Sequence, residues 1–237
     1  ENGMSRLPAP VKLWYHGPMF RYERPQAGRQ RQFHQVVVEM FGIKQPTADA
    51  EVILMAVNFL KELGLNDLDV EINSLGCPKC RDEFKNKLKA VLKPYLNELC
   101  EDCQNRYEKN PLRLLDCKVE SCKKIFEKPE VQEIINSDFI CEECAEHYNE
   151  LKLYLDKMGV KYTENKLLVR GLDYYNRTVF EIKSNNLGSQ NAVAGGGRYD
   201  GLVGQLGGEP TPAIGFAMGM ERLISLIPKR ETKKLDG

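Results

Sequence analysis

Alternating apolar and polar positions dominate the first forty residues of the chain. The stretch "VKLWYHGPMFRYE" at residues 11–23 is rich in aromatic and β-branched residues, and "FHQVVVEMFG" at residues 33–42 resumes the same extended pattern. The residues "RPQAG" between them are typical of a turn. This order predicts a hairpin of two strands.

A helical period follows the hairpin. Apolar residues recur at helical spacing at Val52, Met55, Ala56, Phe59, Leu60 and Leu63. Thr47 is the candidate N-cap, and Gly64 is expected to end the helix. The alternation in "LDVEINSLG" then predicts a strand.

The last ninety residues return to strand patterns. A helix through Tyr148, Leu151, Leu155 and Met158 is expected to end at Gly159. After it, "KLLVRGLDYYNRTVFEI" alternates like paired strands, "AVAGGGRYDGLV" reads as a strand that breaks on three glycines, and "AIGFAMGMERLISLI" as a strand that runs into a helix. Strands at both ends of the chain with hairpins between them predict an α+β fold, with an antiparallel sheet flanked by helices rather than a doubly wound parallel sheet.

Residues 77–144 differ from their surroundings because they contain all eight cysteines and many charges. Their helical stripe, from Phe84 to Leu96, is expected to kink or split at Pro94. We interpret this segment as a cysteine-rich insertion. Residues 1–76 and 145–230 are then the two parts of the core domain, and 231–237 a linker.

The charge of the whole chain identifies no ligand, because 34 basic and 34 acidic residues cancel. A general polyanion binder would show a basic excess, so any anion site has to be local. No stretch approaches the roughly 20 apolar residues of a membrane span, and no signal peptide opens the chain, so a cytosolic location is the default expectation. The chain starts at Glu1 and ends in a polar tail, and we expect it to be a piece of a longer protein.

The hairpin concentrates positive charge. Arginine is suited to bidentate phosphate binding, and a hairpin would hold four of them, Arg21, Arg24, Arg29 and Arg31, over the sheet. Phe20 and Phe33 beside them could stack on a base. Gln35 and Glu39 alternate on the returning strand, so both could face the same pocket, where a carboxylate would suit a cationic amine or imidazolium. A solvated charged loop is the alternative.

Three more stretches near the end of the chain carry candidate chemistry. In "RGLDYYNRTVF", Arg170, Asp173, Tyr174 and Tyr175 lie in an apolar context, where Arg170 and Asp173 could instead form a structural ion pair. The glycines of "GGGRYDG" would clear side chains from the floor of a pocket. In "GFAMGMER", Arg222 falls in the first turn of a helix, a position that suits a bound anion.

These stretches together resemble the histidyl-tRNA synthetases, a family of class II aminoacyl-tRNA synthetases. "GPMFRYERPQAGRQRQFHQ" resembles their motif 2, "LVRGLDYYNRTVFEI" and "AGGGRYDGLV" their two histidine signatures, and "PAIGFAMGMERL" their motif 3. The resemblance implies activation of histidine by ATP with Mg²⁺ and transfer of histidine to tRNA(His). It assigns ATP binding to Arg21, Glu23, Arg29, Phe33 and Arg222, histidine binding to Gln35, Glu39, Arg170, Tyr174, Tyr175 and Tyr199, and catalysis to Arg21 and Arg170.

The resemblance also implies parts outside this chain. Motif 1, which builds the homodimer interface, and a loop that helps to hold the amino group of histidine are expected upstream, and an anticodon-binding domain downstream. The chain alone would therefore lack part of the histidine pocket. The alternative functions are a non-catalytic synthetase-like regulatory subunit of histidine biosynthesis and a zinc-ribbon module that binds nucleic acid.

The eight cysteines fall into four pairs, which are Cys77 and Cys80, Cys100 and Cys103, Cys117 and Cys122, and Cys141 and Cys144. Three pairs have the C-x-x-C spacing that lets two thiolates reach one tetrahedral ion. Disulfides are disfavoured in the cytosol, so one or two structural Zn²⁺ sites are expected. The alternative is ordinary reduced thiols.

Overall fold

The computed structural model of the chain describes residues 3–22, 25, 29–137, 139–184 and 191–227. Glu23, Arg24 and the expected linker at 231–237 lie outside the described residues. Seven strands of the described part form one sheet: β1 (Val11–Phe20), β2 (Gln32–Phe41), β3 (Leu68–Ser74), β4 (Thr163–Glu164), β5 (Asn176–Ser184), β6 (Ala192–Arg198) and β7 (Ala213–Gly219). Their order is β1-β2-β7-β6-β5-β3-β4, and the neighbouring strands are antiparallel except β3 and β4. The predicted antiparallel sheet is confirmed.

The α-helices of the described residues are α1 (Pro46–Glu62), α2 (Pro78–Leu92), α3 (Glu101–Lys109), α4 (Glu120–Phe126), α5 (Pro129–Asn136), α6 (Glu142–Lys157), α7 (Leu202–Gln205) and α8 (Met220–Leu226). Short 3-10 helices lie at Met4–Arg6, Lys93–Glu98 and Pro111–Leu114. Within the described ranges, no helix is both long enough and apolar enough to cross a membrane.

One face of the sheet carries the helical layer. Helices α1 and α6 contact each other and bury apolar side chains against the sheet, among them Ile53 and Leu60 of α1 and Leu151 of α6. Even-numbered positions of the central strands, such as Phe180 and Met218, point into this core. Side chains alternate along a strand, so the odd-numbered positions of β2 and β7 face the opposite side.

A second core lies on that opposite side. It is formed mainly by residues of the cysteine-rich segment, including the fully buried Leu88 and Leu114, and it also takes in Val169 and Val179 of the core domain. The segment therefore has more apolar anchors than its charged sequence indicates. Helix α6 begins at Glu142 and runs across the expected boundary at residue 144.

Helix and strand boundaries follow the sequence patterns with three corrections. The stripe splits at Pro94 as expected, since α2 ends at Leu92 and a 3-10 helix follows. Helix α1, however, begins at Pro46 with Gln45 in the N-cap position, so Thr47 is not the cap. A proline suits the first helical turn because it has no N–H to satisfy and its φ is already helical.

The other two corrections concern the second half of the chain. Residues 166–175 form turns, bends and irregular backbone rather than a strand, and Asn73 Nδ2 donates to the carbonyls of Lys166 (3.3 Å) and Leu168 (3.0 Å) in place of a strand partner. Strand β6 runs through its three glycines instead of breaking on them. A Cβ on Gly196 would lie 2.0 Å from the carbonyl oxygen of Gly215, so the glycine lets β6 and β7 approach.

A buried polar network, which the sequence patterns did not predict, connects the helical layer to the sheet. Asp49 of α1 accepts hydrogen bonds from Arg198 Nε (3.0 Å) on β6 and Thr178 Oγ1 (2.6 Å) on β5. Its other contact is His147 Nε2 of α6, at 2.7 Å. Burial alone would raise the pKa of Asp49, but the hydrogen bonds from His147 and Arg198, together with the charge of Arg198, hold it below its usual value. Asp49 therefore stabilises the fold in its ionised form.

We expect this contribution to disappear in acid. A carboxyl group with a lowered pKa in the folded state stabilises fully above its unfolded pKa of about 3.9 and less as the pH falls through its folded pKa. The variant Asp49→Asn should be less stable than the wild type at neutral pH, with the two unfolding free energies converging in acid. Urea unfolding of the full-length protein at a series of pH values measures both. The exposed Asp69→Asn serves as the control. A difference in unfolding free energy between Asp49→Asn and the wild type that stays constant as the pH falls would contradict the assignment.

Candidate active site

Small residues of β6 and β7 form the floor of the candidate site. On the face opposite α1, Gly195 pairs with Ala217 and Gly197 with Gly215, so little side-chain volume stands above the centre of the sheet. A Cβ on Gly215 would lie 1.8 Å from Glu39 Oε2, and one on Gly195 would lie 2.6 Å from Arg170 Nη1. The glycines thus leave the space that these two charged groups occupy.

A carboxylate and three tyrosines occupy one end of the floor. The hydroxyl of Tyr199 donates a hydrogen bond to Glu39 Oε2 on β2. The Tyr174 ring centroid lies 4.7 Å from that of Tyr175 and 5.6 Å from that of Tyr199. Burial raises the pKa of Glu39, and the hydrogen bond from Tyr199 offsets only part of that rise. Burial and the negative charge of Glu39 raise the pKa of Tyr199, which keeps its hydroxyl a neutral donor.

This end of the floor is suited to a small cation. A partly buried carboxylate is stabilised by a positive partner, and aromatic faces attract cations. Gln35 is on the same face of β2 as Glu39, four residues earlier in the chain. It pairs with Gly17 of β1 on one side and with Gly219 of β7 on the other. Its half-buried side chain therefore has small neighbours on both sides.

The side chain of Arg170 lies over Gly195 of the floor. Its Nη1 donates to Glu181 Oε2 of β5 at 2.8 Å, and Asp173 instead accepts a hydrogen bond from Asn110 of the insertion. The structural ion pair between Arg170 and Asp173, which we considered as an alternative, is therefore wrong. The Nε of Arg170 is buried and has no hydrogen-bond partner among the described residues. Glu181 was missed in the sequence, where it stands between two core residues of a strand.

Arginines lie at the end of the floor near the hairpin. The guanidinium carbon of Arg21 lies 3.6 Å from the ring centroid of Phe33, and the backbone N–H of Arg21 donates to the carbonyl of Arg31 at 2.9 Å. Phe33 is on the same face of β2 as Glu39. The ring of Phe33, to which the resemblance assigns ATP binding, thus has the Arg21 guanidinium on one face.

Two further arginines, Arg222 and Arg29, lie near the start of α8. Arg222, in the first turn of α8, donates from Nη1 to the carbonyl of Ala192 at 2.7 Å. Burial lowers the pKa of Arg222, the negative charge of Glu181 offsets part of this, and the positive charge of Arg29 lowers the pKa further. Arg29 and Arg222 thus add positive charge near the start of α8, which would favour a bound anion there.

The cysteines form two separate clusters away from the floor. The first consists of Cys77, Cys80, Cys141 and Cys144, and the second of Cys100, Cys103, Cys117 and Cys122. In each cluster the four sulfur atoms lie within 4.8 Å of one another. Backbone N–H groups donate to the sulfur atoms, from Cys77 to Cys144 (3.2 Å) and from Cys141 to Cys80 (3.1 Å) in the first cluster. Either donor set could hold a metal ion.

Comparisons with known proteins show which family the chain resembles. The family model described as "Histidyl-tRNA synthetase" matches residues 2–223. Curated relatives called histidine–tRNA ligase, from Desulfitobacterium hafniense and Desulforamulus reducens, are 54% and 52% identical over 95% and 94% of this chain. The chain spans about half, 52%, of the length of each.

Solved structures show the same relationship. The apo histidyl-tRNA synthetase of S. aureus is 39% identical, with a TM-score of 0.70 over 92% of this chain and 51% of that one. A structure from Bacillus halodurans, described as an ATP phosphoribosyltransferase regulatory subunit/histidyl-tRNA synthetase, shares the fold, with a TM-score of 0.65 over 98% of this chain and 62% of that one, at 21% identity. The family match and the close relatives together show that the chain belongs to the histidyl-tRNA synthetase family.

Proposed function

We propose that this chain forms the larger part of the catalytic domain of a histidine–tRNA ligase, which activates histidine with ATP and Mg²⁺ and transfers it to tRNA(His). One observation carries the proposal: a single sheet face holds the carboxylate and tyrosine cluster at Glu39 and, toward the hairpin, the arginines at Arg21 and Arg222. A cationic amino acid and a polyanionic nucleotide would thus be bound side by side.

The residues have distinct roles in this reaction. Glu39, Gln35 and the three tyrosines Tyr174, Tyr175 and Tyr199 would bind histidine. Arg21, Arg29, Phe33 and Arg222 would bind ATP, and Glu23 would join them from outside the described residues. Mg²⁺ would neutralise part of the phosphate charge.

The chemistry explains why so many cations are needed. The carboxylate of histidine attacks the α-phosphorus, so two anionic groups have to approach each other and pyrophosphate leaves. Positioned cations lower the barrier because they stabilise the charge that develops, and positioning with electrostatics is most of what phosphoryl transfer requires. Arg21 at the hairpin and Arg170 above Gly195 would be these catalytic cations.

The regulatory alternative has less support. A subunit that binds histidine without activating it would need the carboxylate cluster but not the arginines, and here Arg21, Arg170 and Arg222 all flank the floor. The direct test is histidine-dependent exchange of pyrophosphate into ATP with the full-length protein. Exchange with histidine and none with other amino acids is expected. Histidine binding without exchange would favour the regulatory function.

We also propose that the full-length protein is a homodimer, with β1 near the interface. Within the described residues this ten-residue strand is at the edge of the sheet, where no further strand pairs with its outer side, and it exposes Leu13, Trp14 and Tyr15. Trp14 is 70% exposed. An exposed edge strand with apolar side chains is a ready surface for another chain, and dimers of identical chains are the commonest assemblies.

Each cysteine cluster is proposed to hold one structural Zn²⁺. Zn–S bonds of about 2.3 Å put the sulfur atoms of a tetrahedral site about 3.8 Å apart, and Cys100 and Cys117 of the second cluster already have that separation, 3.8 Å. The N–H donors to sulfur would stabilise thiolates around the ion. Sites of reduced thiols fit the cytosolic location that the sequence predicts.

We expect the full-length protein, purified without chelator, to contain about two equivalents of zinc per chain, one for each cluster. Elemental analysis measures the content directly. Because the floor lies outside the clusters, chelation should increase protease cutting within residues 77–144 while the sheet stays folded. Less than about a tenth of an equivalent, with eight freely titrating thiols in the folded protein, would show that the thiols bind no metal.

A further inference from the structure

The first cysteine cluster joins the insertion to the core domain at the point where two helices begin. Cys77 is the N-cap residue of α2, and Cys141 is the N-cap residue of α6. Helix α2 belongs to the second core, whereas α6 packs on α1 in the first. A metal ion at this cluster would therefore fix the orientation of one helix start against the other.

The first turn of α2 also presents Arg81, which follows the ligand Cys80 in the chain. Arg81 Nη1 donates to the backbone carbonyls of Asp173 (2.7 Å) and Tyr175 (2.6 Å). These carbonyls lie on either side of Tyr174, in the segment 171–175 that carries two rings of the proposed histidine pocket. We call this segment the histidine loop. Arg81 holds its backbone from the insertion side.

Arg177, just after the histidine loop, is hydrogen-bonded to residues next to the cysteines of the first cluster. Arg177 exchanges two backbone hydrogen bonds with the residues just before Cys77, since its N–H donates to Gly76 (2.8 Å) and its carbonyl accepts from Leu75 (2.8 Å). Its Nη2 donates to Glu143 at 2.5 Å, between the ligands Cys141 and Cys144. Residues at the start of α2 thus contact the histidine loop, and a residue at the start of α6 contacts β5, the strand that follows that loop.

The second cluster is placed differently. Its ligands lie around the starts of α3 and α4, and Cys103, Cys117 and Cys122 are buried in the core of the insertion. It reaches the histidine loop through Asn110, beyond the far end of α3, whose side chain donates to the carboxylate of Asp173. That contact holds a side chain of the loop, not the backbone that places the tyrosine rings.

We propose that the two metal sites have unequal roles, and that the first, through Arg81, is a positioning site for the histidine pocket. This inference rests on the proposed function. Metal at the first cluster keeps Arg81 on the two carbonyls, so Tyr174 and Tyr175 are already in place when histidine arrives. Without it the loop has to be ordered by the substrate, and histidine binds more weakly. The arginines that serve ATP lie at the other end of the floor and are unaffected.

The variant Arg81→Gln in the full-length protein tests the inference with both clusters intact. We expect it to keep two equivalents of zinc, to raise the KM for histidine in pyrophosphate exchange about fivefold, and to leave the KM for ATP within about twofold, as the loss of hydrogen bonds from one charged group implies. Arg81→Lys, which can donate to one carbonyl, should restore part of the affinity. Lys79→Gln, an exposed cation in the same turn, is the matched control.

A pair of cysteine variants separates the two clusters. Cys144→Ser should lower the zinc content to about one equivalent and raise the KM for histidine, whereas Cys103→Ser should lower the zinc content equally and leave that KM within about twofold. If Cys144→Ser does not fold, Arg81→Gln decides alone. An unchanged KM for histidine in Arg81→Gln, or equal effects of the two cysteine variants, overturns this inference and leaves the proposed function standing. A wild type without histidine-dependent exchange overturns both.

Discussion

Replacing Arg21 by alanine in the full-length protein is expected to slow histidine-dependent pyrophosphate exchange by about tenfold to a hundredfold, the usual effect of removing one preorganised charge contact. Arg21 follows directly on β1, its backbone is hydrogen-bonded to Arg31, and its guanidinium lies on the ring of Phe33. The cation is thus held in place before ATP binds, so little reorganisation is needed when charge develops at the α-phosphorus.

The loss should appear in the rate at saturating ATP as well as in kcat/KM, because the contact is strongest in the transition state. Arg21→Lys keeps the charge without the planar fork and should recover part of the rate. The exposed Arg6→Ala, in the 3-10 helix Met4–Arg6 that precedes β1, controls for the loss of one positive charge. Exchange rates for Arg21→Ala that match those of the wild type would remove Arg21 from the catalytic residues.

The sheet was predictable where each strand buries one face. The alternation in β2 and β7 follows from a helical layer on one side and the small-residue floor on the other, so residues that share a face could be identified before the structure. Residues 166–175 show the same apolar content without being a strand. The insertion buries the apolar side chains of Leu168 and Val169. The side chain of Asn73 donates hydrogen bonds to backbone carbonyls of the same stretch. The sequence does not show which partner buries a residue.

The site was predictable only in part, for a related reason. The motifs predicted the arginines and tyrosines as site residues, but no motif predicted the contact of Glu181 with Arg170 or that of Arg81 with the histidine loop. The four cysteine pairs could be combined into two sites in several ways. In the structure the first pair along the chain combines with the last, because α2 and α6 start next to each other. The network around Asp49 likewise joins residues 98 to 149 positions apart, with no local pattern to predict it.

The variant Glu39→Gln is expected to raise the KM for histidine at least about tenfold and to change the KM for ATP far less. Glutamine keeps the shape of the side chain and its hydrogen bond with Tyr199, but it removes the negative charge that would pair with a cationic group of the substrate. Losing one partner of a partly buried charge pair is costly because the other charge is left unpaired. In the proposed function ATP binds at the arginine end of the floor, so its affinity should not depend on this charge.

The pH dependence of histidine binding provides a second measurement on the same variant. Because burial raises the pKa of Glu39, the carboxylate of the wild type is lost at a higher pH than that of an ordinary glutamate. Affinity for histidine should be complete above that raised pKa and fall as the pH drops through it, and Glu39→Gln should lack this acid limb. Calorimetric titration of histidine, without ATP, measures it. The exposed Glu62→Gln, at the end of α1, should behave as the wild type. Equal changes in the KM values for both substrates, or an acid limb that persists in Glu39→Gln, would place the histidine contact elsewhere.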